Sequence, residues 1–140
     1  MVGVSKHVRE VLTGSMFLSM TCSQVLANSL SGSEWRPTWI GQALFPVNTT
    51  IYLQFKGEGK LAGLGGCNHF FGTYQIAEPT ITLSVVEATR KTCSSTVADL
   101  ETAFLRVLHS TGSFERNRVV LSLFDRDGRK IATFVQADWD

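Results

Sequence analysis

Strict alternation of apolar and polar residues, over short segments joined by tight turns, most limits what this chain can fold into. In Ile51-Tyr-Leu-Gln-Phe55, Ile51, Leu53 and Phe55 face one way, and Tyr52 and Gln54 face the other. That period of two belongs to a half-buried strand, whose successive side chains point to opposite faces. Thr80-Ile-Thr-Leu-Ser-Val85 repeats it, with Ile81, Leu83 and Val85 opposite Thr82 and Ser84. Lys60 to Leu64, Phe71 to Ile76, Val119 to Phe124 and Lys130 to Val135 read as further strands, and Ser113 to Asn117 as a short one. Trp35 to Ile40 is a first strand interrupted by Pro37, which cannot donate to a ladder and predicts an edge or a bulge. The turns Lys56-Gly-Glu-Gly-Lys60, Ala77-Glu-Pro79 and Asp125-Arg-Asp-Gly128 are too short for a parallel crossover, so the sheet is expected to be antiparallel.

One segment has helical periodicity instead. Val97, Leu100, Phe104, Val107 and Leu108 form a single apolar stripe, read as core rather than as a cofactor box. Thr96 is the expected N-cap, Asp99 and Glu101 are read as favouring the positive end of the helix, and Gly112 is the expected stop. The stripe must be buried against the sheet. The fold class expected is therefore α+β, a curved antiparallel sheet packed against one helix.

The 140 residues predict one domain, and an apolar share of 44% is enough for a packed core. Thirteen Lys+Arg stand against twelve Asp+Glu. No basic stripe is visible, which argues against a nucleic-acid partner. No apolar run approaches the ~18 residues that point to a membrane-spanning helix. The first 27 residues have the layout of a secretory signal: Lys6, His7 and Arg9, then the apolar run Val11 to Cys22, then Val25-Leu-Ala27 as a cleavage site, with a disordered or amphipathic N-terminal extension as the alternative. Residues 28–140 would remain as the mature domain. A lipid anchor at Cys22 is disfavoured, because Thr21 stands where Gly or Ala is wanted and Leu18 is one place too far upstream. The mature chain would then hold two cysteines, Cys67 and Cys93. An even count in an exported protein suggests a disulfide, with two separate buried thiols as the alternative.

The candidate chemistry gathers in Gly63-Leu-Gly-Gly-Cys-Asn-His-Phe-Phe-Gly-Thr-Tyr74. As a phosphate cradle it fails: no Lys-Ser/Thr follows the glycines, and Asn68 stands where the third glycine of a dinucleotide fingerprint belongs. Cys67 with His69 and Asn68 offers the residue types of a thiol hydrolase, but a working Cys–His pair normally comes from different parts of a fold. Cys67, His69 and Cys93 together offer three zinc ligands without the spacing that marks a zinc site. Gly65-Gly66 suits a tight bend, Gly72 a close strand crossing and Asn68 a turn. No cofactor, metal or catalytic residue is assigned.

Gly66-Cys-Asn-His-Phe-Phe-Gly-Thr-Tyr74 resembles the signature of the META domain, or HslJ-like, family, carried by Gly66, Cys67, Asn68, Phe70, Gly72 and Tyr74. Gly32-Ser-Glu-Trp35, Thr89-Arg-Lys-Thr-Cys93, Glu101 with Phe104 and Leu108, and Asp125 to Gly128 resemble further elements of the family in the same order, so that the likeness covers roughly residues 30–136. The resemblance implies a small α+β domain, an exported or envelope-associated bacterial protein, links to heat shock or antibiotic tolerance, a non-enzymatic role and a paired Cys67–Cys93. The expected partner is an envelope protein or an apolar ligand. Trp39 and Tyr52 are candidate contacts for it, with core packing as their plainer explanation. The competing reading is a thiol- or metal-dependent site at Cys67, His69 and Cys93.

Overall fold

The computed structural model describes residues 30–45 and 49–137, together with Gly3. Apart from Gly3, the expected signal segment, Cys22 included, lies outside the described residues. The strands are β1 (Ser33–Ile40), β2 (Ala43–Leu44), β3 (Tyr52–Phe55), β4 (Lys60–Leu64), β5 (His69–Ala77), β6 (Thr80–Ala88), β7 (Thr111–Asn117), β8 (Val120–Asp125) and β9 (Lys130–Gln136). A short 3-10 turn, Gly57–Gly59, joins β3 to β4, and the helix α1 (Ser95–Ser110) lies between β6 and β7.

All pairings are antiparallel, as the short turns require. The α+β class holds, but the sheet does more than curve. It runs β1-β3-β4-β5-β6-β7-β8-β9 and returns from β9 to β1, so eight strands close into a barrel. Closure depends on β1 pairing along both edges. Ser33, Glu34 and Trp35 oppose Phe55, Gln54 and Leu53 of β3, while Trp35 to Ile40 run beside Gln136 to Ala132 of β9. The register slips between Pro37 and Trp39, so the proline marks a bulge. A bulge adds local twist and bends the strand, which is what a closing sheet needs. A short extra strand, β2, folds back on the end of β1.

The alternating residues fill the barrel. Trp35, Leu53, Phe55, Leu61, Phe70, Ile81, Leu121, Leu123 and Phe134 are all at most 2% exposed. An eight-stranded barrel has an interior just wide enough for its own side chains. Helix α1 adds Phe104 and Leu108 to that core. The Phe104 ring lies 5.7 Å from Phe70 of β5 and 6.1 Å from Phe134 of β9, strands on opposite sides of the ring order. The helix therefore plugs the barrel rather than lying against an open sheet.

Both helix ends differ from expectation. Ser94 is the N-cap, its Oγ accepting from the Val97 amide at 3.4 Å, and Thr96 already lies in the first turn. Serine is as good an acceptor as threonine, and the chain turns helical as soon as Cys93 is anchored. Asp99 and Glu101 both sit beyond the first turn, and Glu101 has a different task, described below. Gly112 does not end the helix. The chain passes directly from Ser110 into β7 at Thr111, and Gly112 sits inside that strand with Arg126 packed closely over it.

Candidate functional site

The chemistry-rich stretch forms the corner between β4 and β5, and every member of the family signature within it has a structural partner. Gly65 N–H donates to the Asn68 carbonyl at 3.0 Å, closing the corner. A Cβ on Gly65 would lie 2.8 Å from Glu101 Cγ, and Gly66 has φ +150 with Val97 beside it. The two glycines thus let the backbone press against the helix, where a side chain would hold it off.

Glu101 receives that backbone. Its Oε2 accepts from Asn68 N–H at 2.8 Å and from Cys67 N–H at 3.2 Å, and its Oε1 accepts from Asn68 Nδ2 at 2.9 Å. Hydrogen bonds to a carboxylate are the stronger kind. The amide of Asn68 works in both directions. While Nδ2 reaches the helix, Oδ1 accepts from Lys91 N–H at 2.7 Å and from Thr89 Oγ1 at 3.0 Å. Thr89 Oγ1 in turn accepts from His69 N–H at 3.1 Å. Asn68 therefore ties three segments together: its own corner, the 89–93 connection and helix α1.

Cys67 and Cys93 are joined as a disulfide, with Cα atoms 6.3 Å apart. It pins the same connection that Asn68 binds, just before the Ser94 cap. The alternative of two separate buried thiols is not what the structure shows. The zinc reading loses its sulfur ligands in this state, and among the described residues no cluster of His, Cys, Asp and Glu has metal-binding geometry. His69 starts β5, half-buried, with its ring edge-on to Tyr52 at 6.5 Å.

The remaining signature residues hold the barrel wall. Phe70 is buried and packs on Phe104. Gly72 lies at a register slip between β5 and β6, where a Cβ would fall 1.8 Å from the Ser84 carbonyl oxygen. Tyr74 stands edge-on to Phe55 at 5.0 Å and donates its hydroxyl to the Lys56 carbonyl at 2.7 Å.

The role of Glu101 was readable only in part. Val97, Glu101, Phe104 and Leu108 share one helix face, so a carboxylate interrupts the inward stripe. An acid on a buried stripe calls for a donor partner. Which donor supplies it depends on the corner's arrival, which no local pattern encodes. Asp125 and Asp127 are turn residues, as expected. Asp125 Oδ1 accepts from Asp127 and Arg129 N–H, both at 2.9 Å. Trp39 and Tyr52 are half-buried and stand outside the core cluster. Tyr52 pairs with Leu64 and Leu64 with His69, making one row across the barrel's outer surface.

The META domain family model matches residues 28–138. The chain belongs to the META domain family. Two solved structures share this META domain's fold. A protein from Burkholderia xenovorans, solved by NMR, is 19% identical with a TM-score of 0.63, covering 82% of this chain and 88% of that one. A crystallised DUF4847 family protein from Bacteroides vulgatus is 15% identical with a TM-score of 0.61, covering 82% of this chain and 99% of that one. No curated protein matches. Membership in the META family and a disulfide both fit an envelope-associated protein, and no helix among the described residues is long and apolar enough to cross a membrane.

Proposed function

We propose that this META domain is a non-enzymatic, exported protein of the bacterial envelope, contributing to stress or antibiotic tolerance by binding or assembly. Residues 1–27 act as the export signal and residues 28–140 as the mature domain, located in the periplasm or secreted. The observation that carries the reading is the Cys67–Cys93 bond, which ties the signature corner to the 89–93 connection. Disulfides persist in oxidising compartments. This one also engages both cysteines of the mature chain, so the residues that look most reactive serve as a brace. The half-buried row of Tyr52, Leu64 and His69, and Trp39 paired with Leu44, offer outer surface for a partner.

Fractionation with N-terminal sequencing tests this. The expected result is a product beginning at Asn28 in the periplasmic fraction or medium, and a deletion strain sensitised to heat or antibiotic. An uncleaved chain confined to the cytoplasm would overturn it.

A further inference from the structure

Away from the braced corner, helix α1 faces the turn between β1 and β2 across an open cleft of about 440 Å³. Ile40 and Ala43 line one side, Ala103 and Val107 the other, and Gln42 is a polar lining residue on the turn. The volume lies within the ~300–1,000 Å³ usual for small-molecule sites, and apolar walls with few polar groups are their usual lining. Arg106 is the single charged residue lining the cleft among the described residues, and it is exposed.

Among the described residues, no carboxylate forms an ion pair with that guanidinium. Its helical neighbours Thr102, Ala103, His109 and Ser110 include no carboxylate. The ion pairs found among the described residues involve Arg36, Lys60 and Arg129 instead. Both walls are held in place. Glu101 ties the helix to the corner, and Arg126 Nη2 donates to the His109 carbonyl at 3.3 Å near the helix end. The opposing turn is held by Gly41 N–H on the Ile131 carbonyl at 2.9 Å and by Phe45 N–H on the Thr38 carbonyl at 3.0 Å. A cleft already shaped loses little on ordering when it is filled.

An apolar trough with one cation that has no carboxylate partner among the described residues selects by charge. A polyanion would set its further charges against apolar walls, where desolvation has no compensation. A neutral chain would leave Arg106 unused. A single apolar chain ending in one carboxylate satisfies both features, since guanidinium and carboxylate match as a forked pair. We propose that this cleft binds a free aliphatic carboxylate, a medium-chain fatty acid, with its tail along Ile40, Ala43, Ala103 and Val107 and its head on Arg106. The assignment rests on the binding role proposed above and narrows it. Localisation and cleavage test that role, whereas the titration below tests only the cleft.

The test is titration of the ¹⁵N-labelled protein with decanoate below its micelle concentration, followed by amide NMR shifts, with decanol as the neutral probe. Saturable shifts at Gly41, Gln42, Ala43, Ala103, Arg106 and Val107 are expected, with decanoate binding at least about fivefold more tightly than decanol, a factor worth roughly 1 kcal/mol for a partly exposed charge pair. Octanoate should bind about two- to fourfold more weakly for each methylene removed. Arg106→Gln should bring decanoate down to the decanol affinity and leave decanol unchanged. Ala103→Phe, which fills the trough, should abolish both. Absence of saturable shifts, shifts centred on the exposed Phe71 and Val86, or unchanged decanoate binding in Arg106→Gln with the fold intact would each overturn the proposal.

Discussion

The corner at Gly65–His69 and the cleft beside Arg106 flank the same helix, yet they use chemistry in opposite ways. The corner holds cysteine, histidine, asparagine and glutamate. The cysteines are bonded to each other, and Asn68 and Glu101 are filled with hydrogen bonds from the chain itself. The cleft holds alanine, valine and isoleucine with one arginine, and that arginine has no ion-pair partner among the described residues. Residue types rich in chemistry therefore mark the place where this fold is fastened. The plainer surface retains the capacity to bind.

Breaking the corner should reveal that difference in stability. Replacing Cys67 and Cys93 together with serine opens a covalent loop spanning a sequence separation of 26 and should lower unfolding free energy by roughly 3–4 kcal/mol, read from urea denaturation. If the melting behaviour does not change, the disulfide is not the brace described. Glu101→Ala strands the Cys67 and Asn68 amides and the Asn68 side chain, and should lower stability by about 2–3 kcal/mol. A loss under about 0.5 kcal/mol would mean that water replaces the carboxylate without penalty.

A smaller effect comes from a second carboxylate engaged by backbone amides, in the β8–β9 turn. The Arg129 N–H holds the Asp125 carboxyl below its ordinary value, against partial desolvation, with help from the Asp127 N–H and the Arg129 guanidinium. A carboxyl depressed by folding contributes stability above its unfolded pKa and loses it as pH falls through the folded one. The urea midpoint should therefore drop below about pH 4. Asp125→Asn should show a shallower acid limb, and identical limbs would contradict the assignment. The smallest effect is expected at the cleft. Arg106→Gln should shift stability by less than about 0.5 kcal/mol while removing the carboxylate preference. A large destabilisation there would make Arg106 part of the frame, and the contrast between the two regions would fail.

Much of the frame was legible because local chemistry determines it. Ile51, Leu53 and Phe55 alternate because one face is buried, and the Asp125–Gly128 turn carries its own glycine with φ +84. Barrel closure was not legible. The pairing of β1 with β9 joins Trp35 to Gln136, and alternation states which face of a strand is buried without naming the partner along its edge. The helix boundaries moved for a related reason. Ser94, next to the Cys93 that Cys67 holds, caps in place of Thr96, and Gly112 lies under Arg126, a contact made only in the folded chain. At the corner, Gly65, Gly66 and Asn68 announced a bend, but the acceptor came from Glu101, more than thirty residues on. The cleft left no motif at all, because Ala103, Arg106 and Val107 are ordinary residues on a helix surface.

The central claim is that the signature corner is a brace and not a reactive site. Its most direct test is intact mass after alkylation, on protein purified from the envelope fraction without reductant. The account predicts that Cys67 and Cys93 resist alkylation until reduced, with a mass lacking the two thiol hydrogens and no bound metal. Both cysteines alkylated at once, or zinc bound in stoichiometric amount, would contradict it.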